Sequence, residues 1–348
     1  MLDSEISADL NATKLDWYGI TAKFAQSHFG KSLWQLLNTM FPYVVLWAAM
    51  VYLVQHNYPY WIVLGLALLA GGVLVRIFTL FHDCCHGSFF ASRRANTIFG
   101  YVTGVLTFTP FEDWRRAHNM HHATTADLDR RGVGDVWTMT VDEYLAAPRR
   151  RRVAYRLYRH PFITLGLGSA ALFLILHRFP TKGAGKRELR SVFRTNLALL
   201  LIAALASSTI GLRTYLVIQL PVILIAGNFG MWLFYLQHQF EDVYWIRHES
   251  RDPLKVALQG SSYYKLPKVL QWFTGNVGLH HVHHVRPSIP NYHLQRCHDH
   301  VPALQTVKVM TLRSSLRSLR LSLCDEKRQK LVSFRSLKTL REAQQVQS

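Results

Sequence analysis

The sequence predicts an all-α integral membrane protein. It reads as four transmembrane helices in two hairpins, with interfacial or re-entrant helices and a cytoplasmic, histidine-rich cap for two metals. Three observations predict this. Apolar residues make up 49% of the chain and gather in long runs. The basic surplus, 40 Lys+Arg against 21 Asp+Glu, gathers beside those runs. Histidines recur in three short clusters, HDCCH (82–86), HNMHH (118–122) and HHVHH (280–284).

The elements follow in order. Residues 1–35 read as a cytoplasmic segment. Their opening, MLDSEISADLNATKLDW, is polar and acidic, unlike a cleavable signal with its basic start and apolar core. Residues 36–54 and 60–81 are the first two spans, each near the roughly 20 residues a helix needs to cross a bilayer core. Only Arg76 interrupts the second, and the short link at 55–59 makes a hairpin. Residues 98–111 are too short to span and read as interfacial or re-entrant. Residues 161–176 lie between Arg149–Arg152 and a second basic group of His177, Arg178, Lys182, Lys186 and Arg187. Basic flanks stay cytoplasmic, so this stretch should dip in and return. Residues 197–212 and 215–236 form the second hairpin, where Pro221 is tolerated in the early turns. The two external turns share a single basic residue, Arg213. The membrane domain thus covers 36–300, with both termini and all three clusters cytoplasmic. Residues 301–348 are a basic tail, in which TLRSSLRSLRLSL reads as an amphipathic helix lying on the membrane surface.

A formal charge of +19 also raises nucleic-acid binding. No recognisable module supports that, and the basic residues flank membrane segments. The four cysteines, Cys84, Cys85, Cys297 and Cys324, form no CxxC pair and suit a reducing cytoplasm.

The clusters carry the chemistry. Nine of 18 histidines fall inside three five-residue windows, far above random placement. His82 and His86 are spaced i, i+4. His118, His121 and His122 are i, i+3, i+4, and His280, His283 and His284 repeat that spacing. Such residues share a helix face, so each cluster is expected to aim at one point. His281 lies off that face, and His56, His160, His177, His248, His293, His298 and His300 read as ordinary interfacial or surface residues. Neutral imidazole ligates Zn, Cu, Fe or Ni. Eight or more ligands exceed one tetrahedral ion and suit two metals with open positions. Two irons are the leading reading and two zincs the second; spacing alone does not choose. The Glu and Glu-x-x-His pattern of soluble di-iron bundles is absent. An open di-metal site beside acyl chains can use O2 to take hydrogen from an unactivated C–H bond, with an apolar tunnel presenting the chain.

At these residues the sequence resembles the membrane fatty acid desaturases, most closely the bacterial acyl desaturases of the delta-12 (omega-6) type. The matching stretches are HDCCHGSFF, WRRAHNMHHA, LDRRGVGD, WLFYLQHQFED and FTGNVGLHHVHH followed by IPNYHL. They run in family order over about residues 76–294. The resemblance implies a non-haem di-iron centre, O2 as co-substrate, two electrons per turnover and reduction of O2 to water. It implies ligands, and so catalytic residues, at His82, His86, His118, His121, His122, His280, His283 and His284. It adds His238 of LQHQFED as a further metal ligand. Asp83 and Asn276 are candidates for outer groups that hydrogen-bond a ligand, and Glu112 and Asp113 for the same work. Trp114, Trp232 and Trp272 are candidates to line an acyl channel, although aromatic residues near an interface are expected anyway. Cys85 stands where the family usually has glycine, and a one-residue offset should turn it away from His82 and His86.

The leading function is an O2-dependent desaturase that inserts a cis double bond into a membrane-associated acyl chain. The alternatives are an acyl hydroxylase or ketolase of the same superfamily, and a non-catalytic lipid-binding protein with structural zinc. Neither HPGG nor GxGxxG occurs, so electrons should come from a separate donor, ferredoxin or cytochrome b5-like, steered by the basic face. The expected location is the bacterial inner membrane.

Overall fold

The computed structural model describes residues 19–132 and 134–337. Four of its helices are long and apolar enough to cross a membrane. The first, α1 (Phe29–Gln55), buries Ser32, Gln35, Thr39, Tyr43 and Met50, which recur every three to seven residues along one face. Its other faces expose Trp34, Phe41 and Val44. A helix with hydroxyl and amide groups inside and large apolar groups outside has lipid, not water, as its solvent. A tight turn leads into α2 (Tyr60–His86), the most buried of the four. Its Gly71 permits a close approach, because a Cβ there would stand 2.6 Å from Ile225 Cγ2 on the fourth long helix.

Between the hairpins, α3 (Arg93–Leu106) is N-capped by Ser92, whose hydroxyl accepts from the Ala95 N–H. It is followed by α4 (Phe111–Thr124), strand β1 (Met139–Thr140) and helices α5 (Val141–Ala146) and α6 (Arg149–Tyr158). Residues 162–178 then form one helical run (π, then α7 at Gly168–Leu174, then 3-10), bent 68° from α6. That bend suits a broken span or a re-entrant segment. The second hairpin is α8 (Lys186–Thr209) and α9 (Leu212–His238), joined at Gly211, whose φ of +86° favours glycine.

The cap contains α10 (Pro253–Gln259), β2 (Tyr263–Tyr264), α11 (Lys268–Phe273), α12 (His280–Val285), α13 (Asn291–His300), β3 (Val309–Met310), α14 (Leu312–Ser318), β4 (Leu321–Asp325) and β5 (Lys330–Ser333). Strand order is β1-β4-β5, with β1 parallel to β4 and β4 antiparallel to β5. The register pairs Met139 with Leu323, and Leu323 with Val332. β2 runs parallel to β3.

The helices start and stop beyond the apolar runs. α1 begins at Phe29, α2 continues to His86 and α8 begins at Lys186, because polar residues at a membrane face do not stop a helix. One expectation is overturned. The tail does not form one surface helix; α14 ends at Ser318 and the chain turns into β4. Leu323 packs with Met139, Val141, Tyr144, Tyr155 and Val332, and the Tyr155 hydroxyl donates to the Ser322 carbonyl. These apolar side chains have found a protein partner instead of lipid. Residues 1–18 and 338–348 of the expected terminal segments lie outside the described residues.

Candidate metal centre

Four elements bring the histidines together. His82 and His86 lie on the last turns of α2, which Gly87 stops with a left-handed φ of +69°. His118, His121 and His122 sit on α4. Its first turn is held by Glu112, which pairs with Arg115 at 2.5 Å and Arg187 at 2.8 Å. His238 ends α9. His280, His283 and His284 sit on α12, whose approach is pinned to β2: the Tyr264 N–H donates to the Gly278 carbonyl at 2.7 Å. A Cβ on Gly278 would run into the Tyr264 carbonyl oxygen.

The nine imidazoles fall into two groups, each with ligand atoms within 4.8 Å of one another. One is His82, His86, His118, His122 and His283; the other is His121, His238, His280 and His284. The expectation that each cluster aims at one point is therefore corrected for the second and third. Consecutive residues on a helix point about 100° apart, so His121 and His122 face different groups, as do His283 and His284. In the first group Nε2 of His118 is 3.0 Å from that of His82 and 3.1 Å from that of His122. The His283–His122 separation is 3.0 Å. In the second, His238 stands 3.1 Å from His121 and 3.0 Å from His280, and His284 stands 2.9 Å from His280.

The hydrogen bonds on the far side of the rings decide what these contacts are. His121 Nδ1 meets Asp135 Oδ1 at 2.7 Å, and His238 Nδ1 meets the Gly260 carbonyl at 2.8 Å. Both partners are acceptors, so both rings carry their proton on Nδ1 when neutral. Their Nε2 lone pairs then face each other across 3.1 Å, an arrangement that needs a cation. In the other group the buried His86 Nε2 has no hydrogen-bond partner among the described residues. These residues fit two metal ions.

Burial, with neighbouring histidines adding repulsion, pushes His118, His122, His280, His283 and His284 well below the usual imidazole range. They are thereby kept neutral, as ligands must be.

Other predicted residues stand elsewhere. Asp83 comes no closer than 3.5 Å to His82 Nδ1, and its Oδ2 accepts from the Asn291 backbone and side chain at 2.7 and 2.8 Å. Asn276 bonds elsewhere than to the histidine groups. It turns the chain at φ +62° and donates to the Asn291 carbonyl at 2.9 Å. Asp113 accepts from Thr181. Trp114 stacks on His118, with centroids 4.3 Å apart. Trp272 lies under the Arg76 guanidinium, and Trp232 packs on the main apolar core. Cys85 is buried among Phe81, Phe89 and Phe111, outside both groups. His281 bonds away from them, to His298 Nδ1 at 3.2 Å and the Leu304 carbonyl at 3.1 Å. Asp135 and Gly260 were not anticipated as partners. Asp135 closes LDRRGVGD, whose glycines Gly132 and Gly134 have positive φ and turn it back toward α4. A carboxylate 13 residues beyond the cluster is the only sequence signal.

Comparison with known proteins follows the same line. A family described as fatty acid desaturase matches residues 58–313. A fatty acid desaturase of Bacillus subtilis is 49% identical, over 91% of this chain and 90% of its own length. An sn-1 oleoyl-lipid 12-desaturase of Picosynechococcus is 24% identical over 69% of each chain. An acyl-lipid omega-3 desaturase (cytochrome b5) of the Arabidopsis thaliana endoplasmic reticulum is 25% identical, over 64% of this chain and 59% of its own.

Proposed function

The chain belongs to the fatty acid desaturase family, and from that premise we propose that this oxidoreductase uses O2 and two bound irons to insert a cis double bond into a membrane-associated acyl chain. The delta-12 (omega-6) position is part of the proposal, supported by the resemblance to the 12-desaturase. The observation that carries the metal reading is the pair of Nε2 lone pairs on His121 and His238, 3.1 Å apart with both Nδ1 atoms already committed. Nine imidazoles for two ions exceed the eight that two closed tetrahedral zincs would take, which supports irons with open positions. His82, His86, His118, His122 and His283 would hold one ion, and His121, His238, His280 and His284 the other. Such irons, when bound, supply O2 activation and removal of hydrogen from an unactivated C–H bond.

The chain's own residues do the rest. Asp135 and Gly260 hold the Nδ1–H of His121 and His238, which fixes each ring's direction and makes Nε2 a stronger donor. Trp114 covers one face of His118 and, with Phe78 and Phe81 against it, keeps water from that side. Neutral imidazoles leave the pocket without net ligand charge. Both hairpins point the same ends at the groups, and the basic flanks support a cytoplasmic side for them; a bacterial inner membrane is part of the proposal. Electrons come from a separate carrier.

The test is expression in a bacterial host of known acyl composition, with and without His121→Ala, read by gas chromatography–mass spectrometry of total fatty acid esters. A new double bond that disappears with the variant supports the reading, and its position fixes regioselectivity. A hydroxylated or keto product refutes desaturation.

A further inference from the structure

We infer that the cavity bounded by β2, α11 and α13 is where an acidic protein with a one-electron redox centre docks and delivers its electrons. The inference rests on the oxidoreductase reading above. The cavity measures about 490 Å³, and its lining includes Tyr263, Lys265, Lys268, Gln271, His298 and Asp299. Lys265 and Lys268 are exposed. The one carboxylate in that lining, Asp299, accepts from Gln295 at 2.9 Å.

What sets this cavity apart is its inner wall. His298 is buried, and its Nδ1 lies 3.2 Å from Nε2 of fully buried His281. His281 is peptide-bonded to His280, a member of the second histidine group. The Tyr263 ring sits 4.7 Å from that of His298 and 5.5 Å from that of His281. One hydrogen bond and a short covalent path thus join the cavity wall to a ligand residue. Neither His281 nor His298 belongs to a metal group, and the hydrogen bond between them leaves their buried contact free of any role in the site described above.

The electron balance requires such a port. Desaturation follows CH2–CH2 + O2 + 2e⁻ + 2H⁺ → CH=CH + 2H2O, in which the substrate supplies two electrons and two hydrogens. The other two electrons come singly from two reduced carriers, each of which leaves oxidised, and the two protons come from water. A chain of net charge +19 attracts an acidic carrier, and the two lysines mark where it seats.

The test uses the detergent-solubilised full chain and an acidic [2Fe–2S] ferredoxin. Lys265→Glu/Lys268→Glu should raise the Kd for ferredoxin about tenfold at low salt, an effect that salt erases. Arg149→Glu/Arg150→Glu, the same charge change on α6, should leave Kd near wild type. In anaerobic mixing with the iron-loaded chain at saturating ferredoxin, where any change in Kd drops out, His298→Phe should accept electrons more slowly, while reduction by dithionite is unchanged. No binding to wild type, or equal weakening by the two double variants, overturns the docking site. An unchanged ferredoxin rate in His298→Phe overturns the route. Binding is also read on the metal-free chain, so failure of the desaturase reading appears separately, in iron content and product.

Discussion

Replacing Asp135 with asparagine removes one negative charge and leaves an acceptor oxygen beside His121. The contact is 2.7 Å long, and the two side chains are 1% and 7% exposed, so water does not compensate. Oδ2 of Asp135 has no hydrogen-bond partner among the described residues, so the carboxylate is committed to this ring. A hydrogen bond to a charged group contributes about 1.5–3 kcal/mol, which is roughly 10- to 100-fold in an equilibrium constant. Loss of an outer partner of a metal ligand spans the same range. Asp135→Asn should fall near the low end, because an acceptor remains. Asp135→Ala should fall near the high end, because Nδ1–H is stranded. The assay is metal per chain by mass spectrometry after dialysis of iron- or cobalt-loaded protein against graded chelator. Wild type should keep two ions in a range where Asp135→Asn keeps one. If both release their metal at the same chelator concentration, Asp135 does not orient a ligand, and the lone-pair argument for His121 fails with it.

Other expected outcomes are more direct. His122→Ala and His284→Ala remove an imidazole from different groups, so each should lower metal content and abolish product while the helical circular-dichroism signal persists. Acid should destabilise the metal-free chain. His118, His122, His280, His283 and His284 are held well below their ordinary value of about 6.5. The folded state therefore binds fewer protons than the unfolded one, and stability present above pH 6.5 drains away as pH falls below it; a Tm that holds steady from pH 7.5 to 5.5 would contradict this. Gly87→Ala and Gly278→Ala separate backbone strain from collision. The first has open space around its Cβ and should cost about 1 kcal/mol through its positive φ alone, with metal content unchanged. The second drives a methyl into the Tyr264 carbonyl, should displace the start of α12 and should lower metal content.

The hairpins were legible because lipid selects long apolar runs, and a run survives inspection residue by residue. Their ends were not, because Phe81 closes the apolar run while the helix continues to His86 until Gly87 releases it. The histidine spacing showed that three segments converge, yet it could not divide them. Which way His121 and His122 face depends on how α4 is rotated against α2 and α9, and that rotation is set by contacts distant in sequence. Asp135 was hidden for a similar reason: its reach depends on two positive-φ glycines in a loop without periodicity. The tail misled because its leucines at a helical spacing also suit a strand, and the partners distant from them, Met139 on β1 and Val332 on β5, choose between the two.

The division of the histidine boxes has a consequence for biosynthesis. Chains fold as they emerge, N-terminal parts first. When α4 has left the ribosome, four members of one group, His82, His86, His118 and His122, are already available. The other group then has only His121, gains His238 with the last long helix, and is completed only by His280 and His284. A metal ion can thus be captured early at one position, while the second awaits nearly the whole chain. A ribosome-stalled fragment ending just past α4 should retain a single metal ion, and one ending past α12 should retain two.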